Sequence, residues 1–130
     1  MTLLYSIIES PAHPNFSRLY GQLGIREQKF NSIRKAIGQL KKQVPDVIVA
    51  EFFYGYGNNY AGVNVSNLDV LLASLQKYAS HTRVILLVAK DEAEYVSKLA
   101  ALFKVDEVLI HPVSEQAMQS ALENTSENQD

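Results

Sequence analysis

The chain has 130 residues, 47% of them hydrophobic and 20% charged, with a formal net charge of -2 and no cysteine. That length and composition suit a single globular domain with a real core. The charge balance offers no footprint for nucleic acid or an anionic membrane, and the missing thiols exclude disulfides, thiolate metal sites and a cysteine nucleophile, as fits a reducing, cytoplasmic setting.

Residues 1–9 are apolar but lack a basic leader and are too short for a signal core or a membrane span. Within them Leu3–Ile8 reads as a strand that only Ser6 interrupts. Pro11 and Pro14 impose a loop, in which His13 is expected to be solvated. Asn15 is placed to cap a short helix carrying Phe16, Leu19, Tyr20 and Leu23, and Gly24 to stop it. Residues 25–30 fit either a polar edge strand or a plain connection. Phe30, Ile33, Ile37 and Leu40 then form an apolar stripe, with Asn31 or Ser32 as cap and Lys41 and Lys42 at the negative helix end.

Pro45–Phe53 contains Val47-Ile48-Val49-Ala50, an apolar run without alternation that ends in Glu51. Such a run suits a strand buried on both faces of a parallel sheet. Ligands of open α/β sheets gather beyond the carboxyl ends of central strands, which makes Glu51 the first candidate site residue.

Tyr54–Gly62 holds three of the seven tyrosines and three of the six glycines, and must be a loop. Its Tyr54, Tyr56, Asn58 and Tyr60 form either a lid or partner-binding surface, or a surface insertion whose tyrosines pack back on the domain. Gly55-Tyr56-Gly57 lacks the third glycine of a dinucleotide loop and follows the wrong strand.

Ser66 with Asp69 makes a capping-box pattern ahead of Leu68, Leu71, Leu72, Leu75 and Tyr78. His81 reads as a surface residue. Val84–Val88 is a further apolar strand. Asp91 with Glu94 predicts a cap leading into Val96, Leu99, Ala100 and Phe103. Val108–Ile110 is a short strand ending at His111-Pro112, and Ser114 caps the last helix, with Val113 and Met118 spaced as a hydrophobic staple. Ala121 and Leu122 continue that face. The expected domain covers 1–122, and the polar segment 123–130 is expected to fray. Alternating strands and helices give a parallel sheet covered on both faces.

From Pro45 onward the order, spacing and punctuation resemble the receiver domain of two-component response regulators (CheY-like), well over residues 32–122 and loosely before them. The resemblance implies a flavodoxin-like, doubly wound five-stranded sheet in the order 2-1-3-4-5, with Glu9, Glu51, Val88 and His111 around one crevice. It places Glu51 where the phospho-accepting aspartate stands and Val88, followed by small Ala89, where the switch hydroxyl stands. His111-Pro112 matches the lysine-proline pair, whose peptide bond is commonly cis. Glu9-Ser10 matches the paired metal-binding acids, and Val108 the aromatic switch residue.

Each of these positions departs from the family pattern, and the chemistry suffers each time. The extra methylene of Glu51 moves the carboxylate, and a misplacement of roughly 1 Å costs about a hundredfold in rate. Valine cannot donate to a phosphoryl oxygen, a loss of roughly 1.5–3 kcal/mol for a charged acceptor. Histidine is no fixed cation. The resemblance therefore implies a degenerate pseudo-receiver, not an enzyme, with no catalytic residue and no cofactor. It would be a stand-alone protein-interaction module in signal transduction, with Glu51 imitating the charged state. A kinase or other signalling protein is the expected partner, and a homodimer is expected through the fourth helix, fifth strand and fifth helix (91–103 and 108–122). Nucleic acid and membrane are not expected partners.

Two alternatives stand beside it. One is a flavodoxin-like domain binding a small ligand or a metal in the crevice, with Glu9, Glu51 and His111 as the ligand set; the bland account of that trio is three polar strand-end residues in solvent. The other is an atypical receiver that still takes phosphate.

Overall fold

Apolar runs without alternation need cover on both faces, and the topology supplies it. In the computed structural model, which describes residues 2–8, 15–54 and 66–127, the strands are β1 (Leu3–Ile7), β2 (Arg26–Phe30), β3 (Val47–Glu51), β4 (Arg83–Val88) and β5 (Glu107–Ile110). They form one parallel sheet in the order β2-β1-β3-β4-β5. The helices are α1 (Ser17–Gln22), α2 (Ile33–Leu40), α3 (Asp69–Tyr78), α4 (Val96–Ala100) and α5 (Glu115–Glu127), with a 3-10 helix over Lys90–Tyr95 before α4.

Side-chain alternation along the strands divides the core. Leu3, Tyr5, Ile7, Ile48, Ala50, Leu86 and Val88 pack with α2, α3 and α4. Leu4, Val47, Val49, Ile85 and Leu87 pack with α1 and α5. Residues 26–30 are the edge strand of the two options, paired only with β1. Arg26, Glu27, Gln28 and Lys29 suit that place, since charged side chains discourage further strand pairing.

Local chemistry sets the helix ends. The Asn15 carboxamide oxygen accepts from the Ser17 N–H at 2.8 Å, and Gly24, at φ +73°, takes the left-handed turn that ends α1. The Ser32 hydroxyl accepts from Lys35 and the Ser114 hydroxyl from Ala117, while Val113 and Met118 are both buried. The His111-Pro112 peptide is cis.

Several expectations are corrected. Asp91 and Glu94 do not cap an α-helix: the segment is 3-10, no side chain caps it, and Glu92 reaches across to Tyr54 instead. Ala100 is exposed, because α4 ends there after five residues. Leu23 and Tyr78 fall at helix ends and point to solvent rather than the core. α5 runs to Glu127, five residues past Leu122, the expected end of the domain.

Two tyrosines carry hydroxyls into the interior. Tyr5 packs edge-on against Phe30 and donates to the Gln43 carbonyl, and burial pushes its phenol up. Tyr20 is pushed up by burial first and by the Glu27 carboxylate second.

Candidate functional site

The parallel register brings the strand exits to one edge of the sheet. Glu51 lies level with Leu87, Val88 lies level with Ile110, and the His111 N–H donates to the Val88 carbonyl at 2.9 Å. Glu51 and His111 are thus two strand spacings apart with His111 two residues farther along, roughly 12 Å between backbones. Glu51 is only 5% exposed and Val88 is fully buried, while Ala89 and Pro112 are exposed and His111 half-buried. Glu9, Ser10, Tyr56, Asn58 and Tyr60 lie outside the described residues, so the crevice expected from four residues is described for Glu51, Val88 and His111. Among the described residues no group of three His, Asp or Glu side chains could hold a metal ion.

The backbone just beyond Glu51 is closed by a residue that sequence reasoning passed over. The Asn67 carboxamide donates to the Glu51 carbonyl at 2.9 Å and accepts from the Phe53 N–H at 2.8 Å. The Asn67 N–H donates to the Phe53 carbonyl at 3.2 Å, and the Phe52 N–H donates to the Leu87 carbonyl at 2.8 Å. Asn67 is itself fixed between the members of the capping box. The Ser66 N–H and hydroxyl both donate to the Asp69 carboxylate, at 2.7 and 3.0 Å, and the Ser66 hydroxyl accepts from the Leu68 N–H. The Ser66–Asp69 spacing was legible; the carboxamide between them, reaching fourteen to sixteen residues back, had no local signature.

Tyr54 follows this closed turn and is bridged in antiparallel fashion to Ser66. Its ring stacks on Tyr95 at 3.9 Å with 12° between planes, and the Lys98 ammonium lies 5.4 Å from the Tyr54 ring and 5.5 Å from the Tyr95 ring. The Tyr54 N–H donates to the Glu92 carboxylate at 3.3 Å. For Tyr54, packing back on the domain is what the structure shows, although part of its ring remains in solvent.

Phosphoryl transfer is catalysed by positioning and by donors or cations aimed at the transferring oxygens. At these exits the Phe52 and Phe53 amides are spent on the protein's own carbonyl and carboxamide groups. Val88 offers carbon alone. A carboxylate is present at Glu51, and among the described residues the two backbone amides just beyond it are already engaged.

No protein-family model matches the sequence, and no curated protein matches it. Solved structures do match in fold. A response regulator receiver domain protein from Clostridium thermocellum superposes with a TM-score of 0.76 at 17% identity, over 99% of this chain and 97% of the other. The receiver domain of AraT, a response regulator from Geobacillus stearothermophilus, gives 0.75 at 13% identity, over 98% and 94%. The receiver domain of a Francisella response regulator gives 0.70 at 19% identity, over 98% of both chains. The chain thus has the flavodoxin-like fold of response-regulator receiver domains, in the strand order expected. No helix among the described residues is long and apolar enough to cross a membrane.

Proposed function

We propose that this chain is a receiver-fold signalling module that works through protein contact and takes no phosphoryl group at Glu51. The observation that carries this reading is the Asn67 clamp, which occupies both the N–H and the C=O of Phe53 beside the acceptor position. Val88 in place of a hydroxyl, and His111 in place of a fixed cation, point the same way. The contact face we propose is formed by α4, β5 and α5. There Leu102 is exposed after α4, and Val108 and Ile110 on the edge strand are 40% and 48% exposed. Apolar side chains grouped on an open edge suit either a second copy or a signalling protein such as a kinase.

The test is incubation with acetyl phosphate and magnesium, read by intact mass. The expected result is an unchanged mass. A gain of about 80 Da, one phosphoryl unit, overturns the reading and makes the chain an atypical receiver.

A further inference from the structure

A cavity of about 490 Å³ opens at the carboxyl ends of β1 and β2, where α1 and α2 begin. It shares none of its described lining with Glu51, Val88 or His111. The volume is that of a small-molecule site. Phe16, Tyr20 and Phe30 supply aromatic walls.

The polar lining is what sets this cavity apart. Ser6 is 7% exposed and Tyr20 is 2% exposed, and both line it. Among the described residues neither hydroxyl has a hydrogen-bond partner, whereas the Tyr5 hydroxyl, on the other face of β1, has one. Both oxygens reach the cavity space, since the one fully buried side-chain polar atom without a partner among the described residues is Arg83 Nε. Ser6 and Tyr20 thus offer two open hydrogen-bonding groups to an occupant. Lys29 and Lys35 stand at the exposed rim, and neither has an acidic partner within salt-bridge distance among the described residues. The one acid in the described lining, Glu27, accepts from the Ser17 hydroxyl at 2.6 Å. Among the described lining residues, two cations thus stand against one carboxylate that is already hydrogen-bonded.

We propose that this cavity binds a small planar monoanion of the aryl carboxylate class, its rings between Phe16, Tyr20 and Phe30, its carboxylate at Lys29 and Lys35, and a polar edge facing Ser6 and Tyr20. A planar ring suits three aromatic walls, and a carboxylate balances the rim. The inference does not depend on how the Glu51 crevice is read.

Titration of the isotope-labelled full chain with naphthoate, followed by backbone NMR, tests it, with uncharged naphthamide as the comparison. The expected result is saturable shifts at millimolar ligand centred on Ser6, Tyr20 and Phe30. Binding should be roughly fivefold weaker for naphthamide and for the K29A/K35A double variant. Tyr20→Phe, which removes one oxygen, should severalfold weaken 6-hydroxy-2-naphthoate, whose ring hydroxyl supplies the polar edge, and leave plain naphthoate nearly unchanged; if that variant does not fold, Ser6→Ala carries the same test. Shifts that fail to saturate or that centre elsewhere overturn the proposal. Equal affinity for acid and amide also overturns it.

Discussion

The exits of β3 and of β1–β2 lie on the same edge of one sheet, and their polar groups have opposite fates. Beyond Glu51, Asn67 meets the Glu51 and Phe53 carbonyls and the Phe53 amide, and the Leu87 carbonyl takes the Phe52 amide. Beside β1, the Ser6 and Tyr20 hydroxyls face a cavity without protein partners. Resemblance to receivers directs attention to the first region, yet among the described residues the open hydroxyls and the open volume lie together in the second. A conserved place in a fold does not decide where chemistry happens; unsatisfied polar groups and open volume do.

The strongest way to break this contrast is Asn67→Ala. It strips partners from the Glu51 carbonyl and the Phe53 amide near the core, leaves the backbone bond from the residue 67 N–H to the Phe53 carbonyl in place, and should cost roughly 2–3 kcal/mol. Urea unfolding should show a lower midpoint with an unchanged slope. A loss below roughly 0.5 kcal/mol would mean that water already serves those groups, and the β3 exit would then count as open.

A smaller effect is expected from Tyr54→Ala, which removes the stack on Tyr95 and the contact with Lys98. About 1 kcal/mol should be lost. A double-mutant cycle with Tyr95→Ala separates the stack from general burial: coupling near zero would free Tyr54 for the partner-binding role.

The last test works through pH. The Tyr5 and Tyr20 phenols are held above their ordinary value near 10 in the folded chain, so at high pH the unfolded chain gives up these protons first. Their contribution to stability is complete below about pH 10 and is lost as pH climbs from there toward the folded values. Tyr20→Phe should flatten this alkaline decline while leaving stability near neutrality almost unchanged. Urea melts on both sides of pH 10 measure it. An equally steep decline in the variant would mean that Tyr20 titrates freely through the cavity.

How much could be read beforehand follows from how local each signal is. The apolar runs at Leu3–Ile8, Val47–Ala50 and Val84–Val88 were legible as doubly buried strands, because burial on both faces removes alternation. The caps at Ser32 and Ser114 were legible because their partners lie three residues away. By contrast, α1 starts from Phe16 without a side-chain cap, and Asn15, one residue earlier, only turns the chain by accepting from Ser17. Residues 26–30 stayed ambiguous, since an edge strand facing water can be as polar as a loop. The Asp91–Glu94 cap failed for the converse reason: Glu92 found a partner 38 residues distant, at Tyr54.

The sequence by itself determined the alternation of strands and helices, the sheet they form and the residues placed at its carboxyl edge, because periodicity and capping act over a few residues. Only the tertiary structure decided which of those strand ends is closed and which is open. The Asn67 clamp, the Tyr54–Tyr95 stack and the Ser6–Tyr20 cavity each join segments far apart in the chain, and whether a polar group is satisfied depends on neighbours that only folding assembles.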